Sequence, residues 1–242
     1  MKNKQKIRSR KRVWLKRLSW ALAIAIVISF ALVLPLRWFD PATSSFMLQD
    51  SSDRDPLLYE WTDWKNLGTA PALAVVAAED QKFADHFGLD VGSIRNSLDD
   101  AESGKRLRGA STISQQVSKN LFLWPGRSLF RKGLEAYLTL VVEVCLPKRR
   151  ILEIYLNTAE FGPGIYGVTA ASKHFFGKHP SQITDAEAAL LAAVLPNPAR
   201  LKVDDPSAYV RERQLWILGQ MARLRRENWI SLVAAVDTSS GN

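Results

Sequence analysis

A chain of 242 residues, 47% of them hydrophobic, can bury the core of one ordinary domain beside a separate membrane segment, which excludes disorder as the default reading. Its formal charge of +9 suggests nucleic acid, yet nine of the 33 Lys and Arg fall within the first seventeen residues, where no acid lies, and the 24 cations beyond Arg17 meet 24 Asp and Glu. A nucleic-acid protein spreads its cations over the folded surface, whereas a basic run abutting an apolar one obeys the positive-inside rule, so the expected partner is a membrane and not a nucleic acid.

The first predicted element is the apolar run from Leu18 to Leu36, interrupted only by Ser19, Ser29 and Pro35. As a helix these residues rise about 28 Å, enough to cross a bilayer. Trp14, Trp20 and Trp38 lie near its two ends, where indole rings favour the interface. The length of the run and its Pro35-Leu36-Arg37-Trp38 exit, which lacks small residues for cleavage, favour an uncleaved anchor over a signal peptide. The expected organisation is a basic cytoplasmic tail over 1–17, a single-pass anchor over 18–36, a juxtamembrane segment over 37–56, a folded domain over 57–236 outside the inner membrane, and a frayed tail over 237–242.

Within the domain the punctuation is helical. Pro71 follows Thr69 at the start of a helix whose face is Leu73, Val76 and Ala77 and which Glu79 and Asp80 close. The charged stretch from Asp99 to Gly109 reads as a mobile loop. Thr112, three residues before Gln115, fits a capping box; on the helix it opens, Ile113, Val117 and Leu121 form one stripe, and Gln115, Lys119 and Phe122 a second that is available to ligand. A third helix over Arg131 to Leu146 turns Leu134, Leu138, Val141, Val142 and Cys145 to the core and brings Arg131 and Glu135 to one face. Pro147 ends it and opens a fourth, with Ile151, Leu152, Tyr155 and Leu156 periodic and a loop over Gly162 to Gly167. Thr184 and Glu187 cap an Ala- and Leu-rich helix that stops at Pro196, and a last helix spans Ser207 to Arg226. No alternating strand pattern is visible, so the class is mainly α. The single Cys145 excludes an intramolecular disulfide, and its apolar setting reads as a buried small residue.

Chemistry concentrates at Glu79-Asp80, followed by Phe83, His86 and Gly88. A carboxylate against apolar walls has its pKa raised, which suits a general acid or base near neutral pH; the plainer alternative is two acids closing a helix beside a structural histidine. Beyond them come the Gly109-Ala110-Ser111-Thr112 turn into a helix N-terminus, then Lys119, Arg131 and Lys132. Cations and free amides beside acids suit a sugar diphosphate, whose leaving pyrophosphate gains charge as the glycosidic bond breaks. A surface ion pair is the plainer account of Arg131 and Glu135. No Walker lysine or Rossmann glycine pattern suggests a nucleotide.

Four ordered motifs carry a specific resemblance. Glu-Asp-Gln-Lys-Phe-Ala-Asp-His-Phe-Gly (79–88), Gly-Ala-Ser-Thr-Ile-Ser-Gln-Gln-Val-Ser-Lys-Asn-Leu (109–121), Arg-Lys-Gly-Leu-Glu-Ala (131–136) and Arg-Ile-Leu-Glu-Ile-Tyr-Leu-Asn (150–157) resemble those of the family 51 peptidoglycan glycosyltransferases. The resemblance runs from about Leu57 to Leu224 and departs mildly at Phe87 and Leu89. With no Ser-x-x-Lys or Lys-Thr-Gly of a transpeptidase, it is to the monofunctional form.

The resemblance implies a lysozyme-like, two-lobed helical fold at a bacterial inner membrane. The implied reaction polymerises lipid II, the undecaprenyl-diphosphate-linked disaccharide-peptide, into β-1,4 strands with inversion, in a periplasmic domain. The implied base is Glu79, acting on the acceptor GlcNAc 4-hydroxyl. Lys119 and Arg131 would hold the diphosphate, with Ser111, Gln115, Gln116, Asn120 and Lys132 nearby, His86 in the same substrate set, and Asp80 and Glu153 in support. Three roles stay open for Glu135: orienting Arg131, assisting the leaving group, or holding a divalent metal (Mg or Mn) at the diphosphate, the one cofactor in view. Implied partners are lipid II, the growing lipid-linked strand, the membrane, and cell-wall synthesis or division proteins. The rivals are a muramidase or lytic transglycosylase on the same fold, and a membrane-tethered cell-wall binding protein without catalysis. The cation set separates the first from a transferase, and tolerance to loss of Glu79 the second.

Overall fold

The computed structural model describes residues 2–93, 95, 111–126 and 128–229. The first helix, α1 (Lys2–Val33), runs unbroken from the basic tail into the apolar run and passes into a 3-10 turn, Leu34–Arg37. The expected boundary at Arg17 is therefore one of composition and not of backbone, because Lys and Arg are themselves good helix formers. Residues Trp14–Arg37 are long and apolar enough to cross a membrane. Trp14, Trp20 and Trp38 stand exposed at its ends, while Ser29 and Val33 are buried against the domain.

The juxtamembrane segment is ordered, not a tether: it holds one helical turn, α2 (Ser45–Leu48), capped by the Ser44 side chain. After β1 (Leu58–Tyr59) and the single turn α3 (Trp64–Leu67) comes α4 (Thr69–Glu79), in which every residue from Pro71 to Ala77 is buried. A helix buried all round needs small residues where neighbours close in, and Ala72, Ala74 and Ala77 provide them.

Two helical groups flank α4. The capping box of Thr112 and Gln115 opens α5 (Ile113–Phe122); α6 (Leu129–Cys145) starts two residues before Arg131 because Ser128 caps it; and Pro147 precedes α7 (Lys148–Thr158). Both α6 and α7 pack on α5, and α7 also touches α4. On the other side, after α8 (Val168–Phe176), α9 (Asp185–Val194) and α10 (Ala208–Arg226) pack on each other and on α4. Caps at Thr184 and Ser207 start these last two helices where the sequence placed them.

The segment expected as a loop is instead a hairpin, β2 (Glu160–Gly162) and β3 (Ile165–Tyr166), with β1 parallel to β3. Strands of two or three residues are too short to alternate, which is why no strand pattern showed. Cys145 is buried, as its neighbours implied. The stretch Asp99–Gly109 and the tail 237–242 lie outside the described residues.

Candidate active site

The end of α4 is fixed by Asp80. Its amide still bonds Val76 O at 3.0 Å, but its backbone turns away (φ −161°, ψ 75°). Its buried carboxylate meets His86 Nε2 at 2.9 and 3.0 Å and accepts Ile113 N at 3.0 Å. A carboxylate on the first amide of α5 answers both an unpaired donor and the positive end of that helix. Asp80 thereby holds α4 and α5 at a set separation. Gly88 completes the corner: its φ of +77° and the 2.7 Å from an added Cβ to Thr139 Cγ2 leave room for glycine alone, and its carbonyl accepts Thr112 Oγ1 at 2.5 Å. Lys148 pins the same turn by donating to His86 O at 2.6 Å and Glu143 at 2.8 Å.

With the corner set, Glu79 projects between the helices, its side chain 14% exposed. Gln116 Nε2 donates to its Oε2 at 2.9 Å, and Tyr155 OH donates to Gln116 Oε1 at 3.1 Å. Arg213, from α10, donates to its Oε1 at 3.3 Å. Burial pushes the Glu79 carboxyl up, and the Asp80 charge adds to this; the Gln116 hydrogen bond, Arg213 and Lys119 pull the other way. A cleft of about 260 Å³ lies over Glu79, with Lys82, Asp90, Ser93 and Ser111 on its walls.

The second half of the site is cationic. Glu135 is buried at 2% exposure and takes Arg131 Nη1 at 3.0 Å on one oxygen and Lys132 Nζ at 2.5 Å on the other. Lys119 forms no ion pair among the described residues; its ammonium lies 5.2 Å from the Phe46 ring centroid. Burial pulls its pKa down, and the charges acting on it are Glu135, Arg131, Glu79 and Lys132. Base side and cation side therefore meet at Lys119.

Of the residues named from sequence, Glu79, Asp80, His86, Ser111 and Gln116 come together around the carboxylate, and Lys119, Arg131, Lys132 and Glu135 around the cations. Gln115 is a helix cap, buried with Oε1 on Thr112 N at 2.9 Å, so its carbonyl does not line the cleft. Asn120 is buried on α5 beside Lys119. Glu153 lies apart from the site: it accepts Trp64 N at 2.6 Å and Arg150 Nη1 at 2.8 Å, so its partner is structural. Sequence reasoning missed Arg213, whose signal was a cation on the buried stripe of Val210, Ile217, Met221 and Leu224. It also took Tyr155 for core alone, and no pattern pointed to Phe46.

A transglycosylase family model matches residues 51–222, which include every site residue above but Phe46. The chain belongs to the transglycosylase family. The lysozyme-like helical fold goes with that membership. Among relatives of this transglycosylase, the biosynthetic peptidoglycan transglycosylase of Stutzerimonas stutzeri (strain A1501) is 47% identical over 225 residues, 90% of this chain and 93% of that protein. The protein of that name from Shewanella oneidensis is 47% identical over 215 residues, 87% and 91% of the two chains. Its namesake in Yersinia pseudotuberculosis serotype O:3 (strain YPIII) is 58% identical over 166 residues, 68% and 69%.

Proposed function

We propose that this transglycosylase is a membrane-anchored peptidoglycan glycosyltransferase that polymerises lipid II into β-1,4 glycan strands and releases undecaprenyl diphosphate. The observation that carries the reading is a carboxylate whose pKa is pushed up by burial and which feels the charge of Lys119, itself beside the Arg131, Lys132 and Glu135 cluster. A raised pKa makes this carboxylate a better proton acceptor, and the cations suit the one place in the reaction where negative charge builds.

Glu79 takes the proton of the acceptor GlcNAc 4-hydroxyl as that oxygen attacks C1 of the donor MurNAc. The C1–O bond to the diphosphate breaks in the same displacement, the bond pair leaves on the diphosphate oxygen, and C1 inverts from α to β. Lys119, Arg131 and Lys132 stabilise the departing diphosphate, so the leaving group needs no proton. Both Glu135 oxygens are held by cations, which supports the orienting role over leaving-group assistance or metal binding. Among the described residues no three His, Cys, Asp or Glu side chains gather as a metal site. A muramidase cleaving a neutral sugar bond has no use for this cluster.

The apolar helix at the N-terminus and a lipid-borne donor suit each other, since both partners lie in one plane. The excess of Lys and Arg before residue 18 favours a cytoplasmic N-terminus and a periplasmic domain crossed to by one span.

Full-length protein incubated with lipid II is expected to yield long glycan strands, and Glu79→Gln to stop this while still retaining substrate. Full polymerisation by that variant rejects Glu79 as the base, and release of soluble muropeptides from finished sacculi without polymerisation makes the protein a hydrolase.

A further inference from the structure

The chain leaves the membrane helix through the 3-10 turn Leu34–Arg37, whose final carbonyls have no helical partner. One side chain from α7 answers them. Arg150 Nε donates to Leu36 O at 2.7 Å, and its Nη2 donates to Phe39 O at 2.9 Å and to Asp40 Oδ1 at 2.8 Å. Its Nη1 donates to Glu153 at 2.8 Å, and Glu153 in turn takes Trp64 N at 2.6 Å. The guanidinium also lies 5.1 Å from the Trp61 ring centroid. Arg150 and Glu153 are 9% and 8% exposed.

A buried guanidinium with all three nitrogens bonded has little freedom left, because its planar fork admits one pose. Tyr59 OH on Pro41 O at 2.8 Å and the Ser29–Tyr137 hydroxyl pair at 2.7 Å brace the exit on either side. Val33 and Leu36 pack on the core, and Arg37 Nη1 donates to Cys145 O at 3.5 Å, but Arg150 is the side chain that gathers Leu36 O, Phe39 O and Asp40 on one group, so its loss loosens the run from Leu36 to Asp40. The same helix that carries Arg150 carries Tyr155, whose hydroxyl holds Gln116 and through it Glu79. Anchor and base are thus referred to one rigid element.

We propose that Arg150 is a positioning residue: by clasping the exit of the membrane helix to α7, it sets the height and tilt at which Glu79 and Lys119 meet a substrate carried in the same bilayer. This rests on the lipid-linked donor assigned above. For a soluble donor the clasp has no consequence; for a membrane-borne one it fixes the effective concentration of the reacting groups.

The test compares full-length wild type, Arg150→Ala and Asp40→Ala on lipid II in phospholipid vesicles and on lipid II dispersed in detergent. Each carries Glu212→Cys, an exposed site, labelled for energy transfer to acceptors at the bilayer surface; the native Cys145 is buried. Arg150→Ala is expected to lose about tenfold in kcat/KM on vesicles, chiefly through KM, while staying within about twofold in detergent, with a broadened distribution of heights. Asp40, with 45% of its side chain exposed, carries one of the bonds without supporting the core, so Asp40→Ala moves both readouts the same way by less. Parallel losses in both media, or an unchanged height distribution, overturn the proposal. Wild type inactive in both media overturns the functional reading instead, and the height distribution still decides the clasp.

Discussion

The Glu79 carboxylate and the Gln116 amide meet at 2.9 Å although 37 residues separate them. Tyr155 OH fixes the other end of that amide, so a third helix determines which way the base points. Gln116→Leu keeps the volume and removes both hydrogen bonds. It leaves the Tyr155 hydroxyl without its acceptor in a buried setting. The expected result is a fall in kcat of about 10²-fold with KM nearly constant, as befits loss of orientation at the reacting group. Steady-state kinetics on lipid II settles it, and a change confined to KM removes Gln116 from the base's support.

Arg213 acts on the same carboxylate by charge. Its guanidinium lowers a pKa that burial raises, so removing it lifts the Glu79 pKa further. The base must be ionised to work, so the acid limb of kcat/KM should move to higher pH in Arg213→Met. Activity should drop near neutrality and recover to within about threefold of wild type on the alkaline side of the new limb. A uniform loss at every pH indicates instead that Arg213 does no more than hold α10 in place.

How far the sequence reached follows from where each signal lies. Thr112, Thr184 and Ser207 announce their helices because a cap and a 3.6-residue stripe are local properties, and each helix begins at the next residue. β2 and β3 escaped because five residues in all cannot display a period. Glu79 was legible as an acid against apolar walls at the end of an apolar helix, but Arg213 and Phe46 reach the site from distant segments by tertiary packing alone. Glu153 shows the converse. It was expected in support of the site, but its partners are Arg150 and the Trp64 amide, which hold it apart from the cleft.

Glu135 holds two cations with its two oxygens, and this makes its three sequence-level roles separable. Glu135→Gln preserves shape but leaves the buried Arg131 uncompensated, which should destabilise the protein by about 3 kcal/mol in thermal or denaturant unfolding. With Arg131 and Lys132 no longer aimed, KM for lipid II should rise about tenfold or more. Added Mg²⁺ or Mn²⁺ should change neither figure. Recovery on adding either ion would make Glu135 a metal ligand.

Glu160 on β2 offers a test read in stability. Burial, with the Asp50 charge adding to it, pushes its carboxyl up to about 7 from an ordinary 4.5, while the Gly164 amide and Lys119 oppose the rise. The folded state thus prefers the protonated form. Below the ordinary value both states carry the proton and nothing is lost. As pH rises from there to about 7 the unfolded chain ionises first, and the folded state loses stability across that interval. Glu160→Gln is neutral at every pH, so it should match wild type near about pH 4 and exceed it near about pH 8. The carboxyl is partly exposed, which holds the gain to about 1–3 kcal/mol, a rise of roughly 3–8 °C in thermal midpoint for a domain of this size. Melting curves of both proteins across that pH range decide the matter, since a constant offset between them would mean that the Glu160 carboxyl titrates alike in the folded and unfolded chain.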